Sequence, residues 1–154
     1  MERRAFLNNA GSGTILALAA ALGLIKTSAV FAAGDDRNAF DAKSLQNTLK
    51  VLGASAARES NEISINAPDI AENGAVVPIE VSSPFPNTQS ISLLAEKNPN
   101  ALTSTYEFTE DVEPYVFTRI KMGETSNLIV LVKADDKFYF AKKEIKITLG
   151  GCGG

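Results

Sequence analysis

Cys152 is the residue of this chain with the most evident chemistry. It is the only cysteine, and Gly150, Gly151, Gly153 and Gly154 surround it at the C-terminus. A thiolate is a nucleophile that can hold sulfur groups reversibly, and four flanking glycines are expected by chance on the order of once in 10⁵ placements. Because glycine has no side chain to pack, the tail predicts a slender swinging arm that carries Cys152 about 10 Å beyond the last strand.

The residues that the chain lacks narrow the chemistry further. It contains no His and one Cys, which excludes a histidine triad, a histidine or zinc-ribbon metal site and an intramolecular disulfide. We therefore expect no catalytic residue, no metal and no cofactor, and we predict a covalent carrier on which other enzymes act. Those enzymes would activate the thiol, although Lys142 or Lys146 would lower its pKa if the tail folded back.

The bulk composition limits the class of protein. The chain has 154 residues, of which 45% are hydrophobic and 21% charged, and its formal net charge is -3. This composition is typical of one globular domain. Nucleic-acid binding is not expected, because it requires clustered Lys and Arg.

The N-terminus has the parts of an export signal. A basic start is followed by an apolar run from residue 15 to 25 and by small residues up to Ala32, so we predict a signal peptide over 1–32 that is cleaved after Ala32. The apolar run is shorter than the roughly 20 residues that cross a bilayer, so no stable membrane anchor is expected. A twin-arginine pattern, which implies a periplasmic location, is formed by Arg3, Arg4, Phe6 and Leu7.

The mature chain, residues 33–154, must position the arm. Asp35 or Asp36 can cap a helix predicted over Asn38 to Leu52, which Gly53 would end. After Glu62 the apolar residues alternate with period two, which predicts strands. Their inward faces are Ile63 and Ile65; Val77, Ile79 and Val81; Ile91 and Leu93; Leu102, Tyr106 and Phe108; and Val116, Ile120 and Met122.

Three details refine the predicted strands. The stretch from Leu128 to Val132 is apolar at every position, which indicates a strand covered on both faces. A bulge is expected between Phe140 and Ile145, where the apolar parity changes, and Pro78 indicates an edge strand or a bulge. The pattern predicts an all-β fold, an immunoglobulin-like antiparallel β-sandwich of about seven strands with an N-terminal helix. A β-barrel is the alternative.

Several motifs carry a resemblance to a known family. They are the glycine-flanked Cys152, residues 67–74 (Ala-Pro-Asp-Ile-Ala-Glu-Asn-Gly) leading to Val77-Pro78, residues 98–100 (Asn-Pro-Asn) and residues 118–122 (Thr-Arg-Ile-Lys-Met). With these motifs the chain resembles the SoxY family, the sulfur-carrier subunits of the bacterial sulfur-oxidation system, over nearly its whole length. Among the matched positions, Asn73, Arg119 and Lys121 are candidate partner contacts, but a turn at Asn73 and solvated charges are the simpler interpretations.

The resemblance implies a set of partners and a reaction sequence. It implies a heterodimer with SoxZ, a β-sandwich subunit without its own signal, exported together with this chain. Thiosulfate would be conjugated to Cys152 by the haem enzyme SoxAX, giving an S-thiosulfonate. SoxB would then release sulfate and leave a persulfide, which SoxCD would oxidise where it exists.

Other interpretations of the tail and of the fold stay open at this point. Cys152 would be an incidental thiol in a disordered terminus, part of an interchain disulfide, or the nucleophile of an enzyme without histidine. The alternative of a different class is a non-carrier periplasmic Ig-like domain for protein binding or assembly, since a fold does not dictate a function. A ubiquitin-like sulfur carrier, which loads its terminal carboxylate, is disfavoured by the internal cysteine.

Overall fold

The computed structural model describes residues 37–148. The predicted signal peptide, the predicted caps Asp35 and Asp36 and the arm with Cys152 lie outside this range. No helix among the described residues is long and apolar enough to cross a membrane.

The helical segment consists of two short helices, α1 (Arg37–Asp41) and α2 (Leu45–Val51), so the prediction of one helix from Asn38 to Leu52 is wrong. Ser44 has an extended backbone with φ -146° and its side chain accepts a hydrogen bond from the Asn47 N–H. An N-cap in the middle of the apolar pattern starts a new helix there. The stop at Gly53 is confirmed, because this glycine has a positive φ of 71°.

The rest of the described chain is built from β-strands. Six of them have six or more residues and three have two or three: β1 (Arg58–Glu59), β2 (Ser64–Asn66), β3 (Ile70–Ala71), β4 (Val77–Ser82), β5 (Thr88–Ala95), β6 (Leu102–Glu107), β7 (Tyr115–Ile120), β8 (Ser126–Ala134) and β9 (Lys137–Ile147). The predicted turn at Asn73-Gly74 lies between β3 and β4, as expected.

The strands form two sheets, as in an immunoglobulin-like sandwich. One sheet has the order β1-β9-β8-β5-β6, with β3 also paired to β9, and the other has the order β2-β4-β7. The long pairs are antiparallel, whereas β1 and β3 pair with β9 in parallel. Asp135 and Asp136, which connect β8 and β9, both have positive φ, as a tight hairpin requires.

The apolar stretch from Leu128 to Val132 is covered on both faces, as predicted. Leu128, Val130 and Val132 belong to the core between the sheets. Ile129 and Leu131 belong to a second cluster, against which Leu45 and Leu49 of α2 pack. The outer face of the larger sheet is therefore buried by the helices, and β8 lies at the centre of the fold.

The second apolar cluster also explains two predictions that are wrong. The β8–β9 register runs without a shift from Ser126↔Ile145 to Ala134↔Lys137, so no bulge separates Phe140 from Ile145. Phe140 packs on the helix side and Ile145 packs between the sheets, so both parities are apolar. Leu102 also joins the helix-side cluster, because the β5–β6 register shifts between Leu93 and Leu94.

Pro78 does not lie in an edge strand, but its own position in the strand is paired on one side only. β4 is the middle strand of its sheet, and Pro78 pairs with Arg119 of β7. On the other side, β2 pairs only with residues from Glu80 to Ser82, so it does not reach Pro78. A proline is tolerated here because it lacks one strand neighbour.

Candidate functional site

The candidate site is the end of β9, which the predicted arm with Cys152 follows in the sequence. β9 ends at Ile147, and Thr148 is the last described residue. Cys152 and the glycines Gly150, Gly151, Gly153 and Gly154 lie outside the described residues, as do the export residues Arg3, Arg4, Phe6 and Leu7. What the structure defines is the end of β9, the base of the predicted arm.

On one side, the end of β9 is held by the short parallel strand β3. The Lys146 N–H donates to the Asp69 carbonyl oxygen at 2.9 Å, and the Thr148 N–H donates to the Ala71 carbonyl oxygen at 3.1 Å. The Lys143 ammonium binds the same segment, at 2.5 Å from the Ala67 carbonyl oxygen and 3.0 Å from the Asp69 carboxylate. These bonds keep the strand extended up to the point where the arm begins.

On the other side, the end of β9 is held by a side chain. The β8–β9 pairing stops at Ser126↔Ile145. Beyond it, the Ile147 N–H donates to Thr125 Oγ1 at 2.9 Å, and the same oxygen lies 3.5 Å from the Ile147 carbonyl oxygen. Sequence analysis did not identify Thr125, because a threonine after Gly123-Glu124 looks like an ordinary turn residue.

Gly74 lies under the end of β9 in close contact with two neighbours. Its carbonyl oxygen accepts a hydrogen bond of 2.7 Å from the Met122 N–H. A Cβ at Gly74 would clash with the Met122 carbonyl oxygen and lie 3.0 Å from Ile147 Cγ2. Before Gly74, Asn73 forms a local turn, since its Oδ1 accepts the Ala75 N–H at 2.9 Å.

Asn98 links two further loops at the same end of the sandwich. Its Nδ2 donates to the Lys121 carbonyl oxygen at 2.7 Å, and its Oδ1 accepts the Gly123 N–H at 2.9 Å. Residues 98–100 and 118–122 are thereby joined to each other, and residue 122 is joined to Gly74. The three motif segments that suggested the family therefore meet around the base of the arm.

The two lysines proposed to influence the thiol differ in their surroundings. Lys142 Nζ lies 3.6 Å from the Glu59 carboxylate, and both side chains are about half exposed. The exposed Lys146 side chain makes no ion pair within residues 37–148 and is nearer to Cys152 in sequence. Of the two cations, Lys146 is therefore the one without a carboxylate partner among the described residues. Arg119 and Lys121 are exposed, as expected for solvated charges.

The outer face of the smaller sheet carries exposed aromatic side chains. Phe117 is 61% exposed and Tyr115 is 46% exposed. The Tyr115 hydroxyl donates to Glu80 Oε1 at 2.9 Å, and Asn66 Nδ2 donates to Glu80 Oε2 at 2.8 Å. The hydrogen bond to Glu80 raises the pKa of Tyr115 above 10.0, its ordinary value, with smaller effects from desolvation and from the charges of Glu80 and Glu113.

A cavity of about 310 Å³ lies between α2 and the outer face of the larger sheet. Its lining is largely apolar and includes Leu45, Leu49, Leu131 and Phe140. Within residues 37–148, no group of three or more His, Cys, Asp and Glu side chains could hold a metal ion.

Comparison with known proteins identifies the family. The family model of the sulfur oxidation protein SoxY matches residues 48–152, more than half of the chain. The solved structure of the sulfur carrier protein SoxY from Chlorobium limicola f thiosulfatophilum is 38% identical, with a TM-score of 0.56, and the match covers 60% of this chain and 84% of that chain. No curated protein matches the chain.

A superoxide reductase, the neelaredoxin from Ignicoccus hospitalis, is also similar in structure. It is 23% identical, with a TM-score of 0.50, and the match covers 57% of this chain and 81% of that chain. At this identity the likeness shows the fold alone. The fold and the bonds around β9 define the class of this domain. It is a β-sandwich in which the end of β9 is held on both sides, by residues 69–71 and by Thr125.

The chain belongs to the SoxY family of sulfur oxidation proteins. The prediction of this family from the sequence motifs is confirmed, and so is the prediction of an immunoglobulin-like, all-β fold.

Proposed function

We propose that this chain is a periplasmic sulfur carrier that holds thiosulfate-derived sulfur species covalently on Cys152 and presents them to partner enzymes. The observation that carries the proposal is the family match, whose range ends at Cys152. The similar structure from Chlorobium is a sulfur carrier protein. The strand end held by β3 and Thr125 also supports the proposal, because a fixed base gives a glycine arm a defined starting point.

The proposed chemistry on Cys152 has two steps that balance. In the first, the thiol and thiosulfate lose one proton and two electrons and form a sulfur–sulfur bond, and the haem enzyme SoxAX accepts the electrons. In the second, water attacks the terminal sulfonate group in the SoxB active site. Hydrogen sulfate leaves, and a persulfide stays on Cys152 without a change in electron count. SoxCD, where present, would oxidise this sulfur further.

In this scheme the chain supplies the attachment atom and the reach, and its partners supply the catalysis. A thiolate is both nucleophilic and able to leave again from sulfur, which a carrier needs for loading and unloading. An extended arm from Thr148 to Cys152 spans at most about 14 Å. Without side chains next to the cysteine, it would pass through a channel too narrow for an ordinary peptide.

The test is reconstitution with thiosulfate and the conjugating enzyme. Wild-type protein should gain the mass of S₂O₃ on intact mass spectrometry, and SoxB treatment should then remove the sulfonate and leave one added sulfur. Cys152→Ser should gain nothing, although it should melt at the same temperature as the wild type. Equal loading of the serine variant would eliminate the carrier assignment for Cys152.

The proposal includes a heterodimer with SoxZ, which would form in the cytoplasm before export. The exposed aromatic side chains Phe117 and Tyr115 support a protein partner, because large apolar side chains on an outer sheet face are favourable contacts for another protein. Co-expression should yield a one-to-one complex by size-exclusion chromatography with light scattering. A chain that stays monomeric in the presence of SoxZ would contradict this part.

The proposal also places the mature chain, residues 33–154, in the periplasm after twin-arginine export. Replacing Arg3 and Arg4 together by Lys should leave the uncleaved protein in the cytoplasm, since that pathway depends on the arginine pair. Cell fractionation followed by N-terminal sequencing measures both location and cleavage site. Export of the double variant at the wild-type level would refute the proposed route.

A further inference from the structure

We propose that Thr125 is a positioning residue for the arm: its hydroxyl fixes the end of β9 and thereby sets where the free arm begins. The proposal rests on the carrier function of Cys152 proposed above. Its structural basis is the hydrogen bond of 2.9 Å from the Ile147 N–H to Thr125 Oγ1.

The backbone at the end of β9 requires a partner at this position. Successive N–H groups of a strand point to opposite sides. Those of Lys146 and Thr148 donate to the carbonyl oxygens of Asp69 and Ala71, so the N–H of Ile147 points the other way. On that side the pairing with β8 has already ended at Ser126↔Ile145. The Thr125 hydroxyl replaces the missing strand neighbour.

The neighbouring hydroxyl does not serve the same purpose. Ser126 is 5% exposed, and its Oγ has no hydrogen-bond partner within residues 37–148. Thr125 is half-buried, so an Ile147 N–H deprived of the hydroxyl would be only partly compensated by water. Loss of the Thr125 hydroxyl should therefore release the strand end from the β8 side.

The consequence for the arm can be estimated from its length. With the strand held to Thr148, residues 149–152 connect the strand to the sulfur. Fraying back to Ile145, the last residue paired with β8, would also require the bonds of Lys146 and Thr148 to residues 69–71 to open, and residues 146–152 would then lie beyond the strand. The effective concentration of a tethered group falls with about the 3/2 power of the tether length, so it should drop by at most roughly twofold.

This effect should appear in one kinetic constant only. A Thr125→Val substitution changes no charge and only one half-buried side chain of the folded domain, so the KM for the carrier should stay the same. Delivery of Cys152 inside the docked complex depends on the arm, so kcat should fall by up to about twofold. A general loss of structure would instead change the melting temperature or raise KM.

The experiment compares Thr125→Val with Thr125→Ser in enzyme-catalysed thiosulfate loading. The valine keeps the shape and removes the hydroxyl, and the serine restores it. Thr103→Val is the matched control, because the Thr103 hydroxyl also binds a backbone atom, the Leu93 carbonyl oxygen, at 2.8 Å but in the β5–β6 pair. If Thr125→Val melts early, Thr125→Ala provides the second comparison.

Two measurements accompany the loading rates. Hydrogen exchange of the Ile147 amide should be faster in Thr125→Val and restored in Thr125→Ser. Reaction of Cys152 with a small aromatic disulfide should proceed at the same rate in all variants, because a small reagent needs no positioned arm. Wild-type kcat in Thr125→Val, or unchanged exchange at Ile147, would overturn the proposal.

The failure of the carrier function would be recognised separately. If the wild-type protein is not loaded at all, the proposed function is wrong, and with it the role of Thr125 in delivery. The exchange rate of Ile147 then decides alone whether Thr125 holds the strand end. If the wild type is loaded and Thr125→Val is loaded with equal kcat, the carrier function stands and the role of Thr125 is refuted.

Discussion

Gly74 offers the sharpest test of how the base of the arm is packed. The structure leaves no room for a Cβ at this position: the added carbon would overlap the Met122 carbonyl oxygen and press on Ile147 Cγ2 at 3.0 Å. The Met122 atom belongs to the backbone, so it cannot rotate away as a side chain would. Gly74→Ala must therefore separate the turn after β3 from the segment after β7.

The cost of this separation has two parts. Overpacking of this kind typically costs about 1–3 kcal/mol. Separation also breaks or lengthens the hydrogen bond of 2.7 Å between the Met122 N–H and the Gly74 carbonyl oxygen, which contributes about 1 kcal/mol. We expect the free energy of unfolding to fall by about 2–4 kcal/mol in urea titrations. The corresponding fall in melting temperature is roughly 10 °C for a domain of this size.

Two other glycines serve as controls. A Cβ at Gly123 would meet only Asn98 Oδ1, at 3.8 Å, so Gly123→Ala should change stability by no more than about 0.5 kcal/mol. Gly53 has open space around it but a φ of +71°, so Gly53→Ala should cost about 1 kcal/mol from backbone strain alone. If Gly74→Ala is as stable as Gly123→Ala, the close packing under Ile147 is wrong.

Three further predictions concern other parts of the domain. Ser44→Ala removes the cap of α2 and should cost about 1 kcal/mol in urea titrations; no change would mean that the two helices are not separated by a cap. Leu131→Ala, at a site 2% exposed, should cost about 2–5 kcal/mol, and a loss well below that range would contradict burial of the sheet under the helices. For Tyr115, whose pKa is raised above 10.0 by the hydrogen bond to Glu80, the folded state keeps the proton where the unfolded state loses it. The stabilising contribution of Tyr115 is therefore present below about pH 10 and is lost as the pH rises through the pKa of the folded state. In a pH titration, the phenolate absorbance of the wild type minus that of Tyr115→Phe should have its midpoint above pH 10.0. A midpoint at or below pH 10.0 would refute the hydrogen bond to Glu80.

The sequence was a good guide to the strands and a poorer guide to what covers them. The alternation of Val77, Ile79 and Val81 identified a strand with one buried face, because period two follows directly from strand geometry. The change of parity after Phe140 predicts a bulge, but the strand pairing there is regular. A sequence does not show that both faces of β9 are covered, since that depends on where the distant helices pack.

Local capping was also hard to predict. Ser44 is a good N-cap, but the apolar spacing of Phe40, Leu45 and Leu49 fits a continuous helix equally well. The hydrogen bond from the Asn47 N–H to Ser44 decides in favour of two helices. The roles of Thr125 and Gly74 in the site were equally hard to predict. Thr125 contacts Ile147 and Gly74 contacts Met122, which lie about 22 and 48 positions away along the chain.

The candidate attachment residue, by contrast, could be predicted from composition alone. Cys152 stands out because it is the only thiol and because glycine surrounds it on both sides. Neither feature depends on the fold. What the structure adds is the base of the arm, where the three motif segments meet around Gly74, Met122 and Ile147.

The central claim is that Cys152 carries sulfur in the cell, and the most direct measurement is mass spectrometry of the protein recovered from thiosulfate-grown cells. We expect the intact protein to carry thiosulfonate or persulfide adducts that map to the C-terminal peptide and disappear on treatment with a thiol reductant. The same protein from cells grown without reduced sulfur compounds should lack them. A thiol that stays unmodified while the cells consume thiosulfate would contradict the account.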